Sequence, residues 1–231
     1  MAINTFASSD HVGRILVTWT EFGTTSASPI WRSYSDDHGV TWSAPSAVHS
    51  SATSAQGSQP MFLPDGRVAI VYWNFAGSGF GGGDDATELE EVDMVVSNDG
   101  GASYASPTLV TTVARYNQPS IRTGVFLPSA TTDRSTGAIY VVYQAFDAAG
   151  NPRILFTKST NTGATWTAPI AVTGQSRGRE FSIPRFRLRP TGKRSPFPFM
   201  ISATAAATRC CAICISLSLL MAVRPGSQTF A

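Results

Sequence analysis

The sequence predicts an all-β fold made of short antiparallel strands, and two observations carry this prediction. The first is composition: the 231-residue chain is 42% hydrophobic and only 14% charged, and it contains 20 Gly and 14 Pro. Glycine and proline favour turns, whereas β-branched and aromatic residues favour strands. The second is a set of internal repeats at a fixed spacing, which indicates that one structural unit recurs along the chain.

An eight-residue motif occurs three times, starting at residues 35, 97 and 159, so that its copies are 62 residues apart. Its pattern, S-x-D-x-G-x-T-W, is that of an Asp box. We expect each copy to form a hairpin turn in which the Asp or Asn side chain accepts backbone N–H bonds, glycine takes a positive φ and the aromatic ring packs back onto the sheet. The residues predicted to have this structural role are Ser35, Asp37, Gly39 and Trp42, then Ser97, Asp99, Gly101 and Tyr104, then Ser159, Asn161, Gly163 and Trp166.

Strand-like segments recur in step with these turns. A glycine opens an apolar strand at Gly13, Gly66 and Gly137, and the pairs Gln59-Pro60 and Gln118-Pro119 begin further strands upstream. Each unit of about 60 residues thus contains four short strands, which is one blade of a β-propeller. The second unit is longer because it carries an insertion over residues 74–91, whose acids include Asp84, Asp85, Glu88, Glu90 and Glu91.

Residues 176–231 break this pattern and are interpreted as a tail rather than a fourth regular blade. Residues 1–176 contain 8 Lys and Arg against 14 Asp and Glu, a net charge of −6, whereas residues 177–231 contain 9 against 1, a net charge of +8. Read as written, the tail is a basic linker with an apolar end. Read one base out of frame, Phe181–Ser202 can encode Asn-Pro and then Pro-Asp-Gly-Lys, which matches the opening of the second unit. We favour the frameshifted reading of a fourth blade.

The same interpretation excludes several kinds of site. Cys210, Cys211 and Cys214 all lie in the tail, so no cysteine metal site or disulfide is expected in residues 1–175, and no cofactor or metal is predicted. The basic run of the tail is not taken as a nucleic-acid surface. The apolar segment Cys210–Val223 has 14 residues, short of the roughly 20 that span a bilayer, and no signal peptide follows Met1.

The Asp boxes, the Gly-led strands and the Gln-Pro strand starts resemble those of the sialidase (neuraminidase) superfamily of six-bladed propellers. The resemblance covers residues 1–175 and implies an incomplete propeller of about three blades. It also implies an exo-glycosidase that removes terminal sialic acid or a similar acidic sugar from glycans, secreted or at the cell surface in full-length form. In that superfamily three arginines bind the substrate carboxylate, a Tyr–Glu pair is the nucleophile and an Asp is the acid/base.

Candidate site residues follow from the predicted topology. The loops that leave the Gly-led strands and enter the Gln-Pro strands gather on the face opposite the Asp boxes, and this face would hold Glu21, the acidic insertion, Tyr116, Asn117 and Asp147. Arg122 lies just inside a Gln-Pro strand, where a guanidinium directed at the axis could bind a carboxylate. Arg122, Glu21 and Tyr116 are therefore the catalytic candidates.

Two functions remain open at this stage. The first is the sialidase-like glycosidase, and the second is a non-catalytic propeller that binds glycan or protein through the same face. The Phe-Arg-Ile-Pro motif that carries one superfamily arginine is absent from residues 1–175, which favours the second. The overall similarity of the blades favours the first. Either way, the remaining propeller blades are missing, so three blades alone are expected to be inactive.

Overall fold

The computed structural model describes residues 1–22, 27–49, 54–75, 89–114, 127–146 and 152–172, together with the backbone of three strands between residues 184 and 219. All the regular secondary structure of these residues is β-strand. The strands form three four-stranded antiparallel sheets, here called blades 1, 2 and 3 in chain order, and one three-stranded sheet. The prediction of an all-β fold with three four-stranded units is confirmed.

Each blade is a meander, because the order of its strands in the sheet equals their order in the chain. Blade 1 consists of β1 (Ala2–Ile3), β2 (Ile15–Thr20), β3 (Ile30–Ser35) and β4 (Ser46–Ala47). Blade 2 consists of β5 (Ala55–Phe62), β6 (Val68–Asn74), β7 (Leu89–Ser97) and β8 (Thr108–Ala114). Blade 3 consists of β9 (Ser129–Thr132), β10 (Ile139–Phe146), β11 (Pro152–Ser159) and β12 (Ile170–Ala171). The Gly-led segments of the sequence are the second strands β2, β6 and β10. The prediction that Gln59-Pro60 begins a strand is wrong, since β5 begins four residues earlier, and Gln118-Pro119 lies outside the described residues.

The C-terminal sheet consists of β13 (Pro184–Pro190), β14 (Phe199–Ala205) and β15 (Ile215–Leu219), paired antiparallel in that order. β13 lies beside β9 and β10 of blade 3. Cys210, Cys211 and Cys214 lie outside the described residues. The expectation that no regular fourth blade forms here, and the frameshift interpretation, stay predictions.

Successive blades stack face to face. The first strands of consecutive sheets are neighbours, since β1 contacts β5, β5 contacts β9 and β9 contacts β13. One apolar cluster, which includes Leu16, Ile70 and Tyr72, fills the interface between blades 1 and 2. A second, which includes Val71 and Tyr143, fills the interface between blades 2 and 3. Because blade 2 is covered on both faces, every residue of β6 is buried, as stacking of repeats requires.

In blades 1 and 2, an arginine just before the second strand hydrogen-bonds to the repeat turn of the next blade. Arg14 is 6% exposed and donates to both oxygens of the Asp36 carboxylate, at 2.6 and 2.7 Å. Its Nη1 also donates to two backbone carbonyls of the second repeat turn, at 3.4 and 3.0 Å. The equivalent Arg67 of blade 2 donates to Thr162 Oγ1 in the third turn at 2.7 Å. Blade 3 has Ala138 at this position, so this arginine contact does not extend beyond it.

Candidate functional site

The repeat turns, residues 35–42, 97–104 and 159–166, each join the third and fourth strands of a blade. In the first turn, Ser35 Oγ donates to Asp37 Oδ1 at 2.8 Å and accepts the Gly39 N–H at 2.8 Å. The Asp37 carboxylate accepts the Thr41 backbone N–H at 2.8 Å and the Thr41 hydroxyl at 2.5 Å. These bonds lower the pKa of Asp37 to about 2. The turn itself uses the acceptor oxygens of this carboxylate, which supports a structural role.

The third turn reaches the same geometry without a carboxylate. Asn161 Oδ1 accepts the Thr165 backbone N–H at 2.9 Å and the Ser159 hydroxyl at 2.9 Å. Its Nδ2 donates to Thr165 Oγ1 at 2.8 Å, so the threonine hydroxyl that donates in the first turn accepts here. A negative charge is therefore not needed to close this turn.

The aromatic residues that end the turns do not all pack alike. Tyr104 packs against the cluster between blades 1 and 2, and Trp166 packs against the cluster between blades 2 and 3. Trp42 is 45% exposed, and its Nε1 donates to the Gly39 carbonyl of its own turn at 3.1 Å. The expectation of a ring packed back onto the sheet thus holds only in part for Trp42. Among the described residues, no blade precedes blade 1 to cover this ring.

The face opposite the repeat turns, called the loop face, contains the ends of β2, β6 and β10 and the starts of β3, β7 and β11. Glu21 lies there, just after β2, and is exposed. Its Oε2 accepts the Trp19 indole N–H at 3.0 Å. Its backbone N–H donates to the Pro29 carbonyl at 2.9 Å, which extends the pairing of the two strands beyond their ends. The Glu21 carboxylate is therefore fixed by a hydrogen bond and accessible to solvent on the loop face.

Blade 2 carries two carboxylates near the loop face that share one donor. Asn74 ends β6 and pairs with Glu91 on β7, and Asp93 follows two residues later on the same face of β7. Asn74 Nδ2 donates to Asp93 Oδ2 at 2.7 Å and to Glu91 Oε2 at 3.4 Å. Burial raises the pKa of Asp93 to about 6, the bond from Asn74 opposing this rise and the charge of Glu91 adding to it. Asp93 can therefore hold or release a proton near pH 6.

Other buried polar groups flank this pair on both sides of blade 2. Glu90 lies on the face of β7 toward blade 3, is fully buried, and accepts the Trp73 indole N–H at 2.5 Å. On the side of blade 1, His49 stacks on Tyr72 with ring centroids 5.1 Å apart. Burial lowers the pKa of His49 and raises the pKa of Tyr72. The end of blade 2 nearest the loop face thus brings titratable groups to both of its interfaces.

Of the three catalytic candidates, the structure describes Glu21 only. Glu90 and Glu91, predicted to belong to the acidic insertion, are part of β7. Sequence reasoning did not single out Asp93, although an acid within the apolar run of residues 92–96 is a signal that could have found it. The other residues predicted for the loop face lie outside the described part of the chain: Arg122, Tyr116, Asn117, Asp84, Asp85, Glu88 and Asp147.

The described residues contain no group of three or more His, Cys, Asp or Glu side chains placed to hold a metal ion. In the same part of the chain there is no helix with the length and hydropathy needed to cross a bilayer.

Comparison with known proteins places this fold among glycosidase propellers. No protein-family model matches the sequence, and no curated protein matches it. Among solved structures, Hadza microbial sialidase Hz136 is similar with a TM-score of 0.57 and 16% identity, over 88% of this chain and 40% of that one. The intramolecular trans-sialidase from Ruminococcus gnavus is similar with a TM-score of 0.51 and 19% identity, over 87% and 37% of the two chains. The α-L-arabinanase from Penicillium chrysogenum is similar with a TM-score of 0.57 and 14% identity, over 92% of this chain and 62% of that one.

At these identities the similarity shows the fold. The chain has a sialidase-like propeller fold, of the kind also found in arabinanases, and it spans less than two thirds of the length of each of these three structures. It is therefore similar to part of a glycosidase propeller.

Proposed function

We propose that these blades belong to a sialidase-like exo-glycosidase that hydrolyses terminal sialic acid, or a similar acidic sugar, from glycans. The observation that carries the proposal is the stacking of three blades with their loops on one face, in a fold similar to that of two sialidases over more than four fifths of the chain. The arabinanase of similar fold was solved with arabinobiose, which is a neutral sugar. The experiment must therefore distinguish an acidic from a neutral substrate.

Glu21, Tyr116 and Arg122 are the residues proposed for the reaction. A guanidinium binds a carboxylate through two parallel hydrogen bonds, which suits Arg122 to the acidic group of the sugar. A neutral phenol approaches an anionic sugar without like-charge repulsion, which suits Tyr116 to nucleophilic attack, and a nearby carboxylate would take its proton. The exposure of Glu21 on the loop face supports a part in such chemistry.

The activity is proposed for the longer protein of which these blades are a part, secreted or at the cell surface. Three blades leave open the outer face of blade 1, where Val17 and Trp19 are only partly buried. The equivalent Ile70 and Tyr72 of blade 2, and Val141 and Tyr143 of blade 3, are at most 1% exposed. We propose that blades outside this chain cover that face and complete the ring, so that the chain alone hydrolyses no sialoside.

The test uses fluorogenic sialoside and arabinofuranoside reporters with the full-length protein that contains these blades. Arg122→Ala should abolish sialoside turnover. The matched control is Arg134→Ala, because Arg134 lies between β9 and β10 at the end of blade 3 away from the loop face. Its guanidinium packs on the Phe6 ring at 4.6 Å, and this variant should keep its activity. Turnover of the arabinofuranoside alone would contradict the proposal that the substrate is an acidic sugar. Turnover of neither reporter would instead support a non-catalytic propeller that binds glycan or protein.

A further inference from the structure

The outward face of blade 3, on the side away from blade 2, holds a buried amide without a hydrogen bond. Along β10, Val141 and Tyr143 face blade 2, while Val142 and Gln144 alternate with them and face the other way. Gln144 is 3% exposed. Neither its Oε1 nor its Nε2 has a hydrogen-bond partner among the residues that the structure describes. Buried polar groups in native folds are nearly always paired, so this amide requires an explanation.

In blade 1, which is followed by blade 2, the residue equivalent to Gln144 hydrogen-bonds to the next blade. Thr20 and Gln144 are equivalent, because each lies seven residues after the glycine that precedes its second strand. Thr20 Oγ1 donates to the carbonyl of Ala55 at 3.0 Å. Ala55 is the first residue of β5, the innermost strand of the following blade. The position therefore forms a hydrogen bond from one blade to the backbone where the next blade begins.

Blade 2 differs at the equivalent position. Its residue there is Trp73, whose indole N–H is satisfied within its own blade by Glu90, and blade 2 contacts the following turn through Arg67 instead. Blade 3 has Ala138 in place of that arginine. Gln144 is thus a polar side chain of blade 3 that is buried on this face and has no hydrogen bond of its own among the described residues, so it is available to contact a following blade.

We infer that the outward face of blade 3 is a docking surface for a fourth blade, and that Gln144 hydrogen-bonds to the backbone at the start of its innermost strand. The occupant is the blade encoded by the shifted frame of residues 176–231, whose first strand would contain Asn-Pro as β5 of blade 2 contains Gln59-Pro60. β13, as encoded in the present frame, lies beside β9 and β10 of this blade. In the chain as encoded, Gln144 is buried but forms no hydrogen bond with any described residue.

The experiment compares one substitution in two proteins: the chain as encoded and the product of the frame-corrected gene. Gln144→Met keeps the length of the side chain and removes its polar atoms. Removing an unpaired buried amide is neutral or stabilising, whereas breaking a formed hydrogen bond is destabilising. We therefore expect Gln144→Met to leave unchanged or raise the melting temperature of the encoded chain and to lower that of the corrected protein. Thr20→Val is the matched control and should lower both, because Ala55 is present in both.

A change of the same sign in both proteins would overturn the inference, and so would a corrected protein with no higher soluble yield than the encoded chain. If the encoded chain does not melt cooperatively, the rate of limited proteolysis of its soluble fraction replaces the melting temperature. The expected result is then unchanged or slower cleavage of Gln144→Met in the encoded chain and faster cleavage in the corrected protein.

Discussion

The side-chain amide of Asn74 donates a 2.7 Å hydrogen bond to Asp93 where blades 1 and 2 meet. Both residues are at most 9% exposed, and Asp93 lies directly across the β6–β7 pair from Tyr72, on which His49 of blade 1 stacks. One amide serves two carboxylates here, since Glu91 accepts from the same nitrogen. The interface therefore contains a carboxyl group that folding makes harder to ionise.

Asp93→Asn should stabilise the protein at neutral pH. The pKa of Asp93 rises from 3.8 to about 6 on folding, so the folded state holds the proton more tightly. The contribution of Asp93 to stability is then present below pH 4 and is lost as the pH rises through 6. Asparagine keeps an acceptor for Asn74 and has no charge to bury. We expect a gain on the order of 3 kcal/mol at pH 7, measured by urea unfolding from pH 4 to pH 8.

The control for this prediction is Asp10→Asn, because Asp10 is an exposed aspartate in a turn of blade 1. It should leave the pH dependence of the wild-type chain unchanged between pH 4 and pH 7. If Asp93→Asn showed the same pH dependence as Asp10→Asn, another group would be responsible for the titration in this range.

The blades were predictable from the sequence, whereas the Asp93 interface was not. A repeat turn is closed by residues at most four positions apart, such as Ser35 and Gly39, so spacing alone reveals it. The environment of Asp93 depends on His49 and Tyr72, which the fold brings together from two blades. The exposure of Trp42 also depends on a neighbouring sheet, and sequence spacing carries no such information.

Arg14→Ala should destabilise the protein much more than Arg67→Ala. Arg14 is 6% exposed and satisfies the Asp36 carboxylate and two carbonyls of the next blade. Its loss leaves the buried Gly100 carbonyl without this donor, which costs about 1–3 kcal/mol. Arg67 pairs with Asp65 on the surface, where both side chains are more than a third exposed, and such pairs contribute less than about 1 kcal/mol. Equal losses in urea unfolding would contradict the interlocking role of Arg14.

Gly57→Ala should disrupt the contact between blades 2 and 3. Gly57 has a φ of +67°, and a Cβ there would lie 2.6 Å from the Cβ of Leu127. Backbone strain and overpacking together should cost about 2–4 kcal/mol. Gly66→Ala is the matched control, since its φ is +86° but its nearest neighbour, Ser9 Oγ, is 3.4 Å away. Leu127→Ala keeps the Leu127 Cβ but removes the Cγ and Cδ2 atoms, each 2.9 Å from the Cβ position at residue 57. It should therefore rescue Gly57→Ala in part in a double-mutant cycle, and an additive cycle would argue against the close approach.

Asp37→Asn should preserve the first repeat turn, whereas Asp37→Ala should weaken it. The third turn already works with Asn161, which accepts the same backbone N–H that Asp37 accepts in the first. Alanine removes the acceptor and leaves the Thr41 N–H without its bond. Thermal melting at pH 7 should therefore place Asp37→Asn near the wild-type chain and Asp37→Ala below it. If both variants melted equally early, the charge rather than the acceptor geometry would hold the turn.

The same turns should set part of the acid sensitivity of the fold. Bonds from Thr41 lower the pKa of Asp37 to about 2. For Asp99, burial raises the pKa, but bonds from Ser103 and Ser97 outweigh it and bring the value to about 2. Folding lowers both values from 3.8, so their stabilisation is present above pH 4 and is lost as the pH falls toward 2. In the double variant Asp37→Asn/Asp99→Asn these two turns do not titrate, as the Asn161 turn does not. Its melting temperature should therefore fall less than that of the wild-type chain between pH 4 and pH 2, and an equal fall would place the acid-sensitive groups elsewhere.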